Sequence, residues 1–251
     1  MDHALAPGLT ELQWTSAGIN EFIRNAATVV GDVAAVVDVL KNNLRKVSAI
    51  LSRWCTQPLL ERRSKPSSPE DCDGVHKAMV GVRLHQMKEA GKEVHKLVKD
   101  SSEALKVSKS ATTWKAYVDF VNNIVIEGYV SAVAVSLQHL CEILDPLLIS
   151  RQEVAPVFDI RIELSGGDVV FDPPFSSDNR TQTSLRGVVE GWVKDFFAMA
   201  TVMQRLDSGS GDYLQEMKEH FQLQCLLSLV SELIDNTEMK CMEYRDTFKA
   251  K

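Results

Sequence analysis

From Ile19 to Trp54 the apolar positions run Ile19, Ile23, Ala26, Val30, Val33, Val37, Leu40, Leu44, Val47, Leu51 and Trp54, an alternation of four and three. The spacing predicts one helix about 54 Å long, whose 3.5-residue period makes a nearly straight seam for side-by-side packing. Phe22, Val29, Val36 and Ile50 flank that seam and widen it beyond the need of a two-stranded coil, which favours a bundle. Gln57-Pro58 and the Pro-, Ser- and charge-rich run from Glu61 to Gly74 cannot support a helix and predict a mobile connection. A second helix follows, with seam positions Val80, Leu84, Met87, Gly91, Val94, Val98, Ser101 and Leu105; Gly91 and Ser101 require a closely approaching partner. A third is predicted from Trp114 to Leu144, stopped by Asp145-Pro146, with Gly128, Ser131 and Ala132 permitting tight helix contact.

The period then changes. Phe158, Ile160, Ile162 and Leu164 alternate with Asp159, Arg161 and Glu163, as in a half-buried strand. Ser165-Gly166-Gly167-Asp168 supplies turn residues that tolerate positive φ, and Val169-Val170-Phe171 resumes until Asp172-Pro173-Pro174. This predicts a β-hairpin at about 157–171, which must lie against the helices because two strands alone are marginal. A fourth helix carries Leu185, Val189, Trp192, Phe196, Met199, Met203 and Leu206, closed by Asp207-Ser208-Gly209-Ser210-Gly211; a fifth is expected from Asp212 to Phe248. The predicted fold is mainly α, an elongated multi-helix bundle with one inserted β-hairpin. Residues 1–74 form a first helix with its Pro/Ser-rich connection, and residues 75–251 the bundle that carries the hairpin.

Composition adds little to that picture: of 251 residues 45% are hydrophobic and 25% charged, the balance of a folded soluble chain. A net charge of −6 argues against nucleic acid as the main partner, since phosphate binding wants a positive footprint. The five cysteines, odd in number and mostly within apolar helical runs, read as reduced, buried hydrophobes in a cytosolic setting. Met1 to Gly8 has no basic and apolar leader pattern, and no later stretch is expected to serve as a membrane span. Asn179-Arg180-Thr181 is a chance glycosylation sequon in a polar loop.

No catalytic constellation is visible in the sequence. Ala90-Gly91-Lys92-Glu93 lacks the earlier glycine and the following Ser or Thr of a phosphate loop, and Gly209-Ser210-Gly211 lacks the third glycine and preceding strand of a dinucleotide turn. His76, His85, His95, His139 and His220 are scattered, with no paired Cys-x-x-Cys and no His-Glu-x-x-His. No catalytic, cofactor or metal residue is predicted. One charge feature stands out: Lys88, Lys92, Lys96 and Lys99 share a stripe of the second helix, turned by roughly 120° from its seam. The stripe is either a solvated face partly neutralised by Glu89, Glu93, Asp100 and Glu103, or a docking surface for an acidic partner or for the run Glu70-Asp71-Cys72-Asp73.

Several segments resemble the tail of axonemal dynein heavy chains, just before the linker. The opening Pro7-Gly8-Leu9-Thr10-Glu11-Leu12-Gln13-Trp14-Thr15-Ser16 with Ile19 and Phe22-Ile23 is similar to the start of a tail helix in that family. Pro156-Val157-Phe158-Asp159-Ile160-Arg161-Ile162-Glu163-Leu164, then Val169-Val170-Phe171-Asp172-Pro173, resembles the hairpin those chains carry before the linker. Arg205-Leu206 and Tyr213 through Ile234 are similar to the family's Arg-Leu helix end and Tyr-led helix, while Pro173-Pro174-Phe175 departs from its single proline and aliphatic residue. The resemblance covers nearly the whole chain and implies a non-catalytic mechanical part. Such a part joins a motor head to its docking site and packs against other heavy chains and against intermediate and light chains, in the axoneme of a cilium or flagellum, within the cytoplasmic cytoskeleton. It implies no cofactor, nucleic acid or membrane. The family's ATPase ring and microtubule-binding stalk have no counterpart in these residues. The rival reading is a generic cytoskeletal scaffold or adaptor bundle.

Overall fold

The computed structural model describes residue 6 and residues 12–61, 64–177, 183–206 and 211–249. Pro7 to Glu11 of the opening segment, Arg62 and Arg63, the sequon at Asn179 and Asp207 to Ser210 lie outside the described residues. Seven α-helices and one two-stranded sheet are found among the described residues, so the fold is mainly α with an inserted β-hairpin, as the periodicities require. The helices are α1 (Ile19–Ser52), α2 (Pro69–Ala104), α3 (Thr112–Leu144), the short α4 (Pro146–Ser150), α5 (Leu185–Ala198), α6 (Leu214–Glu219) and α7 (Phe221–Lys249); the strands are β1 (Arg161–Ser165) and β2 (Asp168–Asp172).

Helix α3 is the hub, packing on α1, α4, α5, α6 and, most extensively, α7. It is long and apolar enough to cross a membrane by length and composition, contrary to the expectation of no such stretch. Its apolar character has a local use, because Val121, Val125, Tyr129, Val133, Leu137 and Leu140 are buried among neighbouring helices. The small residues do what their size predicts. A Cβ on Gly91 would come within 2.9 Å of Met203 Cγ, and one on Gly128 within 3.3 Å of Leu51 Cδ1; Ser101 accepts a hydrogen bond from Asn43 Nδ2 of α1.

Four expectations are corrected. Helix α2 begins within the supposed connection, because Ser68 caps Asp71 N–H at 3.1 Å, Pro69 occupies the first turn, and Glu70 and Asp71 complement the helix dipole. The connection itself is held at both ends. Leu59 and Leu60 are buried, Arg83 donates to the carbonyls of Trp54 and Gln57, and Ser67 exchanges backbone bonds with Val157 and Asp159. The fourth helix stops at Ala198, continuing as a 3₁₀ turn Met199–Thr201 and irregular chain to Leu206, yet Met203 stays buried; burial here outlasts the helix. The fifth is broken at His220, whose extended ψ of 119° separates α6 from α7.

The hairpin and its turn form in the expected stretch, but the first strand starts at Arg161 rather than at about residue 157, and Phe158 makes only an isolated bridge to Ser67. Ile162 pairs with Phe171 and Leu164 with Val169, and Gly166 and Gly167 take φ of 63° and 88°, the left-handed pair that a tight two-residue turn needs. Half-burial is not found in β1, all of whose residues are exposed. The core covers only the approach to the strand, Phe158 and Ile160, with Phe158 stacked 5.6 Å from Trp192. The Pro173-Pro174-Phe175 exit is settled by burial of Phe175 and by backbone bonds from Leu185 and Arg186 of α5 to the carbonyls of Pro174 and Phe175.

Candidate partner-docking site

The inner face of α2 buries Val80, Met87, Val94 and Val98, which leaves Lys88, Lys92, Lys96 and Lys99 exposed on the outside. Lys92 pairs with Glu89 at 2.7 Å and Lys99 with Glu103 at 3.9 Å. The pairing holds the Glu89 carboxyl below its ordinary range. Glu93, expected to neutralise the stripe, turns instead to Arg53, just past the end of α1, at 3.0 Å. The alternative in which Glu70 to Asp73 folds onto the lysines is excluded by geometry. Both lie on α2, and Asp73 and Lys88 are about 22 Å apart along one helix at ~1.5 Å per residue.

The stripe divides. Lys96 and Lys99 line a groove of about 970 Å³ between α2 and α3, where they face Lys115, Asp119 and the buried Trp114 of α3, with Lys109 from the intervening turn. Asp100 also lines it, so four lysines meet two carboxylates there. His95 fixes one wall through a 2.9 Å contact with the Gln204 carbonyl. Lys88 and Lys92 stand outside this groove.

The polar ties within the core escape periodicity, because lone polar residues in apolar seams give no sequence signal of their partners. Asn122 Oδ1 accepts from Tyr213 Oη at 2.8 Å and from Leu206 N–H at 3.2 Å. Arg205 pairs with Glu216 and lies 5.3 Å from the Tyr213 ring centre. The Arg-Leu pair and leading tyrosine are thus one clasp that locks the α5–α6 connection onto α3. Arg186 of α5 is held between Asp235 and Glu238 of α7, which raises its guanidinium pKa. His76 meets Asp195 at 3.2 Å between the rings of Trp192 and Phe196. Burial pushes its imidazole below the usual range, against the opposing pull of Asp195. The cavity beside it measures about 30 Å³, far below the several hundred a substrate pocket needs. Burial raises the thiol of Cys141 to about 11 and those of Cys55 and Cys241 in the same direction, so these stay protonated; of the buried hydrophobes expected, Cys72 is buried, Cys55, Cys141 and Cys241 are half-buried, and Cys225 is exposed.

No family model matches the chain. It is 31% identical over 249 residues to the dynein beta chain of the flagellar outer arm from Chlamydomonas reinhardtii, covering 99% of this chain and 5% of that protein. It is 29% identical over 256 residues to a ciliary dynein beta chain from Tripneustes gratilla, covering 99% and 6%. Against dynein axonemal heavy chain 17 from Homo sapiens the identity is 24% over 250 residues, covering 99% and 5%. End-to-end matches with a fold of long packed helices make this a segment of a microtubule-motor heavy chain. The chain spans about one-twentieth of the length of the relatives it matches. It belongs to the axonemal dynein heavy chains.

Proposed function

We propose that this segment is a stem element of the heavy chain, linking the motor head to its docking and assembly partners and transmitting force, while catalysis is carried out elsewhere in the protein. The observation that carries this reading is the set of three helices of 33–36 residues, α1 to α3, joined with α7 through one continuous apolar core. Helices of that length, about 50 Å each, resist bending when fixed side by side, because bending one must slide it past packed neighbours. Support also comes from the clasp around Asn122 and the Arg186 bridge, which join separate helices into one stiff body. The partners in this reading are other dynein heavy chains and intermediate and light chains in the axoneme. The stripe Lys88, Lys92, Lys96 and Lys99 is the docking surface for an acidic partner face.

Two measurements test it. In the intact heavy chain, Leu51→Ala with Trp54→Ala loosens the bundle; ATP turnover is expected to stay unchanged while stall force on microtubules falls. Lost turnover with force per cycle intact would overturn the stem reading. Reversing the four lysines to Glu is expected to weaken binding to purified intermediate chains several-fold, and unchanged binding would dismiss the stripe.

A further inference from the structure

Helix α1 carries one uninterrupted seam, but the rest of the described chain uses only its C-terminal part. Val47 and Leu51 are fully buried, whereas Ile23, Val30, Val33, Val36, Val37 and Val39 are each 39–47% exposed. Around the helix, at ~100° per residue, Ile23, Val30, Val33, Val36 and Val37 share an arc of roughly 140°, while Val39 lies beyond it beside Glu21 and Asp32. Such an arc exceeds the ~100° stripe with which an ordinary surface helix meets its core, yet here it faces solvent. From Ile19 to Leu40 the charged residues are Glu21, Arg24, Asp32 and Asp38. All four, with Asn20, Asn25, Thr28 and Gly31, lie outside the arc by the same helical geometry.

The buried end shows what such an arc requires. There α1 is flanked by two helices at once: Asn43 bonds Ser101 of α2, and Leu51 presses on Gly128 of α3. We infer that the exposed part of α1 is the core helix of a second packing unit, covered by a pair of helices from another part of the same heavy chain. This inference rests on the chain being a heavy-chain segment, but not on the stem function. Three observations favour that occupant. The seam keeps its register through Leu40 and Leu44 into an interface already built, so the new contact continues the existing one. The matched relatives contain about twenty times this length, so further heavy-chain polypeptide is at hand. A second copy pairing through α1 would supply one neighbouring helix, where the buried end of the same seam takes two.

The test adds one cysteine at Val37→Cys, with Val82→Cys as the control, since Val82 is 61% exposed on the outer face of α2, and the exposed Cys225 is replaced by Ser in both. Native maleimide labelling is read peptide by peptide in the 251-residue chain and in the intact heavy chain. The inference predicts that Cys at 37 labels at least tenfold more slowly in the intact heavy chain, while the control labels equally in both. A bifunctional maleimide or amine-thiol reagent is then expected to link it to heavy-chain residues outside this segment. Equal labelling in both proteins would overturn the inference. So would cross-links to residues 1–251 of a second copy, or to a different polypeptide. None of these outcomes bears on the force and turnover measurements above, so the two readings fail separately.

Discussion

The two ends of α1 carry the same apolar rhythm and meet opposite fates. Around Val47 and Leu51 the seam closes on α2 and α3; around Val30 to Val37 it meets solvent. The lesson is that a four-and-three pattern specifies a helix and the direction of its sticky face, while occupancy of that face depends on what the rest of the polypeptide brings alongside. The hairpin teaches the same in strand form. Phe158 and Ile160 rest against the core, while Ile162 and Leu164, in perfect continuation, are exposed.

The contrast can be broken most forcefully by matched truncations. Leu51→Ala is expected to destabilise the chain by about 2–5 kcal/mol, since its side chain fills the notch over Gly128, while Val33→Ala costs within ~0.5 kcal/mol. Urea unfolding followed by circular dichroism compares them, and equal costs would remove the distinction between the two ends. A smaller effect belongs to Asn43, which stands at the border between them. Asn43→Ala removes its bond to Ser101, and the loss of that buried bond is expected to cost about 1–2 kcal/mol in the same assay.

Acid should act on the buried body and spare the exposed end. His76 has a folded-state pKa below its unfolded value, so the unfolded chain binds more protons as pH falls through the histidine range. Stability is therefore complete above pH ~6.5 and declines below it. Thermal melts between pH 7.5 and 5.5 should show this fall, and His76→Gln should flatten it; an unchanged slope would contradict the assignment. The smallest effect is predicted for Arg53→Ala, which breaks the exposed pair with Glu93. It should cost at most about 1 kcal/mol and less in high salt.

Much of the fold was legible in the sequence because long helices repeat their signal many times. Ten of the eleven seam positions fall within α1, Trp54 standing just past its end, and Gly91 and Gly128 announce close contacts that the structure contains. What escaped has local or non-local causes. The start of α2 was misplaced because Ser68-Pro69-Glu70-Asp71 reads as a loop by composition and as a capped helix start by order. The end of α5 was missed because Met199 and Met203 keep helical spacing while the backbone turns irregular and Met203 packs on Gly91 of α2, and the break at His220 was missed because no glycine or proline marks it. For the candidate site, the lysine stripe was visible from periodicity; its groove was not, since Lys109, Trp114 and Lys115 meet Lys96 and Lys99 only through the α2–α3 turn.

Hydrogen exchange on the 251-residue chain reads the difference between the two parts of α1 most directly. Amides from Asn43 to Ser52 are predicted to exchange with the slowest core amides of α3, while those from Ile23 to Val39 exchange at least a hundredfold faster through local opening. Uniform protection along all of α1 would contradict the account, because it would mean that the exposed seam needs no partner to hold it.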